Sequence, residues 1–119
     1  MLKYHCKKQR RMKMQQDVIL SVSGGVLTAV LGCDVDHHRA KAMREKIDST
    51  LSETRANLVI IDFSRVEFMD SSGLGLILGR VERARALGAT VEVRGLSPRL
   101  SKLMRLSGLD RVVGLSLVK

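Results

Sequence analysis

The 119-residue sequence is poor in aromatic residues and cysteine and has a single proline. Its three aromatic side chains, Tyr4, Phe63 and Phe68, provide no stacking platform for single-stranded nucleic acid. The two cysteines, Cys6 and Cys33, have neither metal-binding nor redox spacing. Two cysteines of this kind without a secretory signal are typical of a reducing compartment, so we expect a cytoplasmic protein.

Long apolar runs and the sequence motifs of enzymes are also missing. No run approaches the roughly 18 apolar residues that a membrane-spanning helix needs. The basic N-terminus is not followed by the apolar stretch of a secretory signal. We find no Gly-x-Ser-x-Gly elbow and no third group that would orient a histidine towards a serine. With a hydrophobic fraction of 45%, the sequence predicts one globular domain. The missing motifs indicate that it is not an enzyme.

The net charge of +9 is concentrated at the N-terminus. Residues 1–14 carry six of the 21 Lys and Arg side chains and no acidic residue, so residues 15–119 have fifteen basic and twelve acidic side chains. A basic arm can contact nucleic acid or anionic lipid. The favoured interpretation is a disordered tail, or a non-native extension caused by a start codon upstream of Met12 or Met14. We therefore expect a basic arm at residues 1–14 and a single domain at residues 15–119.

Hydrophobic periodicity predicts the element order ββαβαβαβ. The predicted elements begin with a hairpin closed by Gly24-Gly25 and are, by number: strands 17–23 and 26–31, a helix from 36, a strand 58–61, a helix 71–87, a strand 90–93, a helix 98–107 and a strand 111–115. Alternating strands and helices with short connections require a largely parallel sheet. The sequence therefore predicts a mixed α/β fold with an antiparallel N-terminal hairpin and three main helices.

Two serines stand where the second predicted helix begins, between Asp70 and Gly73. Leu74, Ile77, Leu78, Val81 and Ala84 recur at helical spacing after them, and we expect the basic side chains of this segment, including Arg80, on the opposite, solvent-exposed side. Backbone N–H groups at a helix start lack intrahelical partners and favour negative charge. Ser71 and Ser72 are therefore candidate caps, and they also provide an accessible position for a phosphate.

Gly75 and Gly79 lie one turn apart inside the same predicted helix. Each costs about 1 kcal/mol relative to alanine, which suggests that another surface approaches this backbone closely. Internal packing and a docked partner both remain open as causes. A dinucleotide-binding glycine loop that uses Glu92 is the weaker interpretation, because the glycines follow the serines inside the helix instead of forming the strand-to-helix turn.

The segment with Asp34, Asp36, His37 and His38 has the composition of a metal site. Adjacent histidines on a helix point about 100° apart, and no further ligand pair occurs elsewhere in the sequence. We therefore expect no metal and no cofactor. Asp36 is predicted to cap the first helix, with exposed or half-buried histidines after it.

Three segments resemble a known family. Residues 68–75, Phe-Met-Asp-Ser-Ser-Gly-Leu-Gly, resemble the phosphorylation-site segment of the anti-sigma-factor antagonists, which are STAS-domain proteins. Residues 32–40 resemble the entry to the family's first helix, and their Asp-His-His stretch is typical of its sporulation branch. Residues 96–109 resemble the last helix and its Ser-Gly-Leu exit. The motifs occur in order between about Asp17 and Val113.

The resemblance implies an anti-sigma-factor antagonist with a STAS-like fold. Its unphosphorylated form would bind an anti-sigma factor with serine kinase activity, of the stage II sporulation protein AB type, and would release a sporulation sigma factor. The kinase would then phosphorylate Ser71, the first serine of the pair, and a PP2C-type serine phosphatase would remove the phosphate. ATP would belong to the kinase, and no direct contact with DNA is expected.

The resemblance also implies a partner-binding surface around Ser71. Its expected residues are Asp36, His37, His38, Asp70, Ser72, Gly73, Leu74 and Gly75. One alternative is a STAS module of another pathway, such as a stress-response antagonist or a lipid-transport accessory. A more distant one is a small nucleotide- or nucleic-acid-binding domain that uses the basic arm.

Overall fold

Strands and helices alternate along the chain in the order that the sequence predicts. The computed structural model describes residues 17–118, and the predicted arm at residues 1–14 lies outside this range. The elements are β1 (Val18–Ser23), β2 (Val26–Leu31), α1 (His37–Thr54), β3 (Leu58–Asp62), α2 (Ser71–Ala86), β4 (Thr90–Arg94), α3 (Pro98–Leu106), a 3₁₀ turn (Leu109–Arg111) and β5 (Leu115–Leu117).

The five strands form one sheet in the order β1-β2-β3-β4-β5. β1 and β2 are antiparallel, and all later pairs are parallel. The hairpin turn places Gly24 and Gly25 at φ +59° and +78°, in the left-handed region where glycine carries no steric penalty. The predicted mixed, largely parallel sheet with an antiparallel N-terminal hairpin is confirmed.

The core lies on one face of this sheet. Successive side chains of a strand point to opposite faces, and Leu27, Val59 and Val91 are in register on the same face and fully buried. The helices bury their apolar stripes in the same cluster, for which Met43 of α1 and Ile77 of α2 are representative. The helices thus form one layer and the sheet the other.

The inward face of α2 differs from the prediction. Arg80, expected in solvent, is 4% exposed, whereas Leu78, expected inside, is 40% exposed. The reason is that α2 packs against α1 as well as the sheet, which widens its buried arc and brings Leu76 inside. Asp48 of α1 makes this possible, because its Oδ1 lies 2.7 Å from the Arg80 Nε.

The C-terminal elements are also displaced from the prediction. The last strand was expected at residues 111–115, but Leu109–Arg111 forms a 3₁₀ turn and β5 begins at Leu115. Gly108, at φ +82°, turns the chain after α3 so that Leu109 becomes buried. Pairing with β4 then starts at Leu115, which is opposite Val91.

Candidate functional site

The N-termini of α1 and α2 lie side by side at one edge of the sheet. β2 and β3 are parallel neighbours, so the loops that follow them leave the sheet at the same edge. Val35 and Met69 form a parallel bridge between these loops. The Val35 N–H donates to the Phe68 carbonyl at 3.2 Å, and the Asp70 N–H donates to the Val35 carbonyl at 3.1 Å. The two helix starts are therefore held together by backbone hydrogen bonds.

Asp34 strengthens this connection. Its Oδ1 accepts hydrogen bonds from the backbone N–H groups of Glu67, at 2.9 Å, and Phe68, at 3.2 Å. On sequence alone Asp34 is a potential metal ligand, and nothing in the pattern indicates this role. No local pattern could have revealed it, because donor and acceptor are more than thirty residues apart in the chain.

Asp36 is the N-cap of α1, as predicted. Its backbone is extended, and its Oδ1 accepts from the Arg39 N–H at 2.8 Å. Its Oδ2 lies 3.0 Å from a terminal guanidinium nitrogen of Arg39. His37 and His38 follow in the first turn, and both side chains are exposed.

Asp70, not a serine, is the N-cap of α2. Its carboxylate accepts hydrogen bonds from the backbone N–H of Ser72, at 2.8 Å, and from the Ser72 hydroxyl. These two hydrogen bonds, with smaller contributions from His37, hold the pKa of Asp70 below its ordinary value. A negative charge is therefore present next to Ser71 at neutral pH.

The two serines occupy different environments. Ser71 is the first residue of α2 and is exposed, and nothing within residues 17–118 hydrogen-bonds to its hydroxyl. Ser72 is half-buried, and its hydroxyl donates to Asp70. Only the Ser71 oxygen is therefore open to a reagent from solvent without breaking a hydrogen bond.

The glycines of α2 fall into two classes. Gly73 is buried, and a Cβ at this position would lie 2.6 Å from the Met69 sulfur, so any larger residue would force the Met69 side chain to move. At Gly75 and Gly79 a Cβ would meet no atom of the described residues within 4 Å. Packing inside residues 17–118 therefore does not account for these two glycines, and the backbone there is open to the approach of another surface.

The geometry does not support a dinucleotide-binding loop. Gly75 and Gly79 lie within α2 rather than in the turn between β3 and α2. Glu92 lies inside β4, where its Oε1 is 2.7 Å from a terminal guanidinium nitrogen of Arg94. The acidic residue that such a loop would use is therefore engaged within the sheet.

An open groove of about 530 Å³ runs between the first turns of α1 and α2. The α1 side of the groove carries basic and histidine side chains. On the α2 side, Gly75 contributes no side chain. The lining residues are His37, His38, Ala40, Lys41, Arg44, Ser72, Gly75 and Leu76. The groove opens directly beside the helix start that carries Ser71.

Two further observations concern residues 17–118 only. Over this range, no three His, Cys, Asp or Glu side chains are arranged to hold a metal ion. None of the helices there is both long enough and apolar enough to cross a membrane.

Comparison with known proteins identifies the domain. The family model described as the STAS domain matches residues 17–118, which is most of the chain. The chain belongs to the STAS-domain family. The resemblance seen in the sequence, and the fold it implied, are thereby confirmed.

The STAS domain is similar to several characterised proteins. It is 32% identical over 89 residues to the anti-sigma F factor antagonist of Paenibacillus polymyxa, covering 75% of this chain and 76% of the relative. The solved structure of the anti-sigma factor antagonist SpoIIAA in its unphosphorylated form matches with a TM-score of 0.68 and 26% identity, covering 86% of this chain and 87% of that one. The phosphorylated form of the Bacillus cell fate determinant SpoIIAA matches with a TM-score of 0.66 and 28% identity, covering 86% and 91%.

The predicted site residues of the STAS domain come together at the joined helix starts. Asp36, His37 and His38 belong to the start of α1, and residues 70–75 to the start of α2. Among them Gly73 is buried and Leu74 is half-buried, while Ser71 and Gly75 are exposed. Lys41 and Arg44, which line the groove, were missed because on sequence alone they are ordinary charges of a solvent-exposed helix face.

Proposed function

We propose that this protein is an anti-sigma factor antagonist controlled by phosphorylation. Its unphosphorylated form binds an anti-sigma factor that is also a serine kinase and thereby releases a sporulation sigma factor in the cytoplasm. The anti-sigma F factor antagonist of Paenibacillus polymyxa and SpoIIAA support this function by similarity. The protein acts by binding and supplies no catalytic group.

The observation that carries the proposal is the environment of Ser71. It is an exposed serine at the first position of a helix, directly after an ionised cap, and its hydroxyl has no partner within residues 17–118. A kinase needs a hydroxyl that can enter its own active site. Ser72, half-buried and donating to Asp70, is the poorer acceptor.

The docking surface surrounds this serine. Gly75 lies one turn after Ser71 on α2 and leaves room for the backbone of a partner. Asp36, His37 and His38 contribute from α1, which is joined to α2 through Val35 and Met69. The partner is thus placed over the acceptor serine that it phosphorylates.

Phosphorylation switches binding off without refolding the domain. A phosphoserine adds about −1.5 to −2 charges at pH 7. The N-terminus of α2 tolerates these charges because its free N–H groups and dipole favour anions. Bulk and charge then stand in the interface next to ionised Asp70. That both forms of SpoIIAA match this fold supports a switch that is local.

Two enzymes act on the protein in this scheme. The anti-sigma kinase, of the stage II sporulation protein AB type, binds ATP and transfers its γ-phosphoryl group to Ser71. A PP2C-type serine phosphatase removes the phosphate and restores binding.

Phosphate mapping tests the proposal. The full chain is incubated with ATP and the anti-sigma kinase of the same organism, and the products are analysed by mass spectrometry of peptides. We expect one phosphate, on Ser71, in the wild type and in Ser72→Ala, and none in Ser71→Ala, which still binds the kinase. Phosphate on Ser72, or none on a wild type that binds the kinase, would contradict the assignment.

A further inference from the structure

The groove beside Ser71 is lined by two cations that have no acidic partner among the described residues. Arg39, Arg80 and Arg94 each form an ion pair with a carboxylate. Lys41 and Arg44 also belong to the α1–α2 side of the domain, but no carboxylate of residues 17–118 pairs with either. Both line the groove opposite Ser72 and Gly75. The groove therefore presents positive charge that residues 17–118 do not neutralise by ion pairing.

Helix geometry brings Lys41 towards Ser71. The Val35–Met69 bridge sets the two helix starts level, so His37 lies beside Ser71 and Lys41 lies one turn, about 5.4 Å, further along. Side chains on a helix lean towards its N-terminus, which directs the Lys41 ammonium back to the level of Ser71. No side chain obstructs this path from Gly75, whose Cβ position is open among the described residues. Arg44 lies one turn beyond Lys41 and adds its charge from further away.

We infer that the phosphate on Ser71 is bound within its own chain, by Lys41 directly and by Arg44 at longer range. The inference rests on the proposed function, because Ser71 must be phosphorylated in the cell. A phosphate held in this way lies across the groove and takes up the two cations that otherwise face a partner. In the inactive form the phosphate then occupies the groove. The partner is excluded both by this occupation and by electrostatic repulsion.

The test measures the second ionisation of the phosphate. Phosphoserine is installed at position 71 of the full chain during translation, so that no kinase is needed, and the phosphate is titrated by ³¹P NMR. An ion pair with Lys41 stabilises the dianion and lowers the pKa of the phosphate below the about 6 of free phosphoserine. We expect Lys41→Gln to raise this pKa by about 0.2–0.7, the equivalent of one exposed ion pair.

Lys46→Gln is the matched control. Lys46 is also an exposed lysine of α1, but it lines a different depression, with Leu20 and Glu45. Its loss should leave the pKa of the phosphate unchanged. His37, His38 and Asp70 also face the phosphate and influence its titration, but they are the same in both variants, so the comparison isolates Lys41.

Two results would overturn the inference. One is an equal effect of Lys41→Gln and Lys46→Gln on the phosphate titration. The other is an unchanged pKa in Lys41→Gln together with weaker binding of the unphosphorylated variant to the kinase, since the cation would then serve the partner alone. Either result would leave the proposed antagonist function intact, because the titration uses phosphoserine that is installed without a kinase. Conversely, if phosphate mapping failed, the proposed function would be contradicted but the titration could still be carried out.

Discussion

Ser71 and Ser72 are adjacent in the chain, but of their two hydroxyls only that of Ser72 is hydrogen-bonded within residues 17–118. The Ser72 hydroxyl donates to Asp70, whereas the Ser71 hydroxyl is exposed at the helix entrance. Because Asp70 provides the cap, Ser71 contributes little to the stability of α2. Removing its hydroxyl should change the free energy of unfolding by no more than about 0.5 kcal/mol, as for an ordinary surface substitution.

The cap itself should be detectable in the pH dependence of stability. The pKa of Asp70 is lowered in the folded state from its ordinary 3.8, so the unfolded chain binds the proton more tightly. The stabilisation from ionised Asp70 is fully present above the pKa that this residue has in the unfolded chain. It is lost as pH falls through the pKa that Asp70 has in the folded state. Asp70→Asn retains an N-cap acceptor but does not titrate. Urea unfolding between pH 7 and pH 2 should show a steeper loss in the wild type than in Asp70→Asn, and parallel curves would contradict this.

At the residue scale the sequence predicted the site segment but not its hydrogen bonding. Ser71, Ser72 and Asp70 were all recognised as the start of a helix. Which of them caps it depends on the bridge between Val35 and Met69, which fixes the backbone of Asp70. That bridge joins residues far apart in sequence, so local pattern alone could not decide.

The glycines of α2 provide a test at the scale of one element. Gly75→Ala should stabilise the fold by about 0.5–1 kcal/mol, because alanine is the better helix former and its Cβ is unobstructed within the described chain. It should weaken binding to the anti-sigma kinase, since the proposed docking surface includes the backbone at this position.

Gly79→Ala is the matched control for Gly75→Ala. Its Cβ is equally unobstructed, but it lies a further turn from Ser71. We expect the same gain in urea midpoint and a smaller loss of affinity in a binding titration. If Gly75→Ala binds as well as the wild type, no partner backbone approaches this part of α2.

The ion pair between α1 and α2 is another property of the elements. Arg80 is buried, its Nε lies 2.7 Å from the Asp48 Oδ1, and burial lowers its pKa although Asp48 opposes the shift. Asp48→Ala leaves a buried guanidinium unpaired and should cost about 3 kcal/mol. Arg80→Met should cost less, because Asp48 is partly exposed and can be hydrated.

A double-mutant cycle by urea unfolding measures the coupling of this pair. Asp48→Ala combined with Arg80→Met should be more stable than Asp48→Ala alone, because no uncompensated charge remains. Additive losses would show that the two side chains are not coupled.

At the scale of elements the sequence was most informative where physical signals are local. The sequence predicts Asp36 as a cap and Gly24-Gly25 as a hairpin turn, and both are present in the structure. Arg80 was misplaced because its burial depends on Asp48, a residue of another helix that periodicity within α2 cannot reveal.

At the scale of the whole molecule, the match to the STAS family does not include the basic N-terminal segment. The family model starts at residue 17, and six basic side chains precede it within residues 1–14. We propose that residues 15–119 form a single STAS domain and that residues 1–14 are an arm outside it. Deleting Met1 to Lys13 should leave the melting temperature and the affinity for the partner nearly unchanged. A fall of several degrees, or a tenfold loss of affinity at physiological salt, would show that the arm takes part in folding or binding.

The N-termini of α1 and α2 are joined into one surface at the edge of the sheet. The proposed acceptor Ser71, the groove and the first turn of α1 all follow loops that are joined through Val35, Met69 and Asp34. A charge added at Ser71 therefore acts on a surface that is already assembled. It should change the affinity for the partner more than it changes the free energy of unfolding.

The most direct test is a binding titration of Ser71→Asp against the anti-sigma kinase. The added carboxylate is favoured at the start of α2, so this variant should unfold at the same urea concentration as the wild type, or a higher one. It should nevertheless bind the kinase at least tenfold more weakly, while Ser71→Ala binds as the wild type does. Equal affinity of Ser71→Asp and wild type would contradict the electrostatic interface switch, and with it the account of how this protein is turned off.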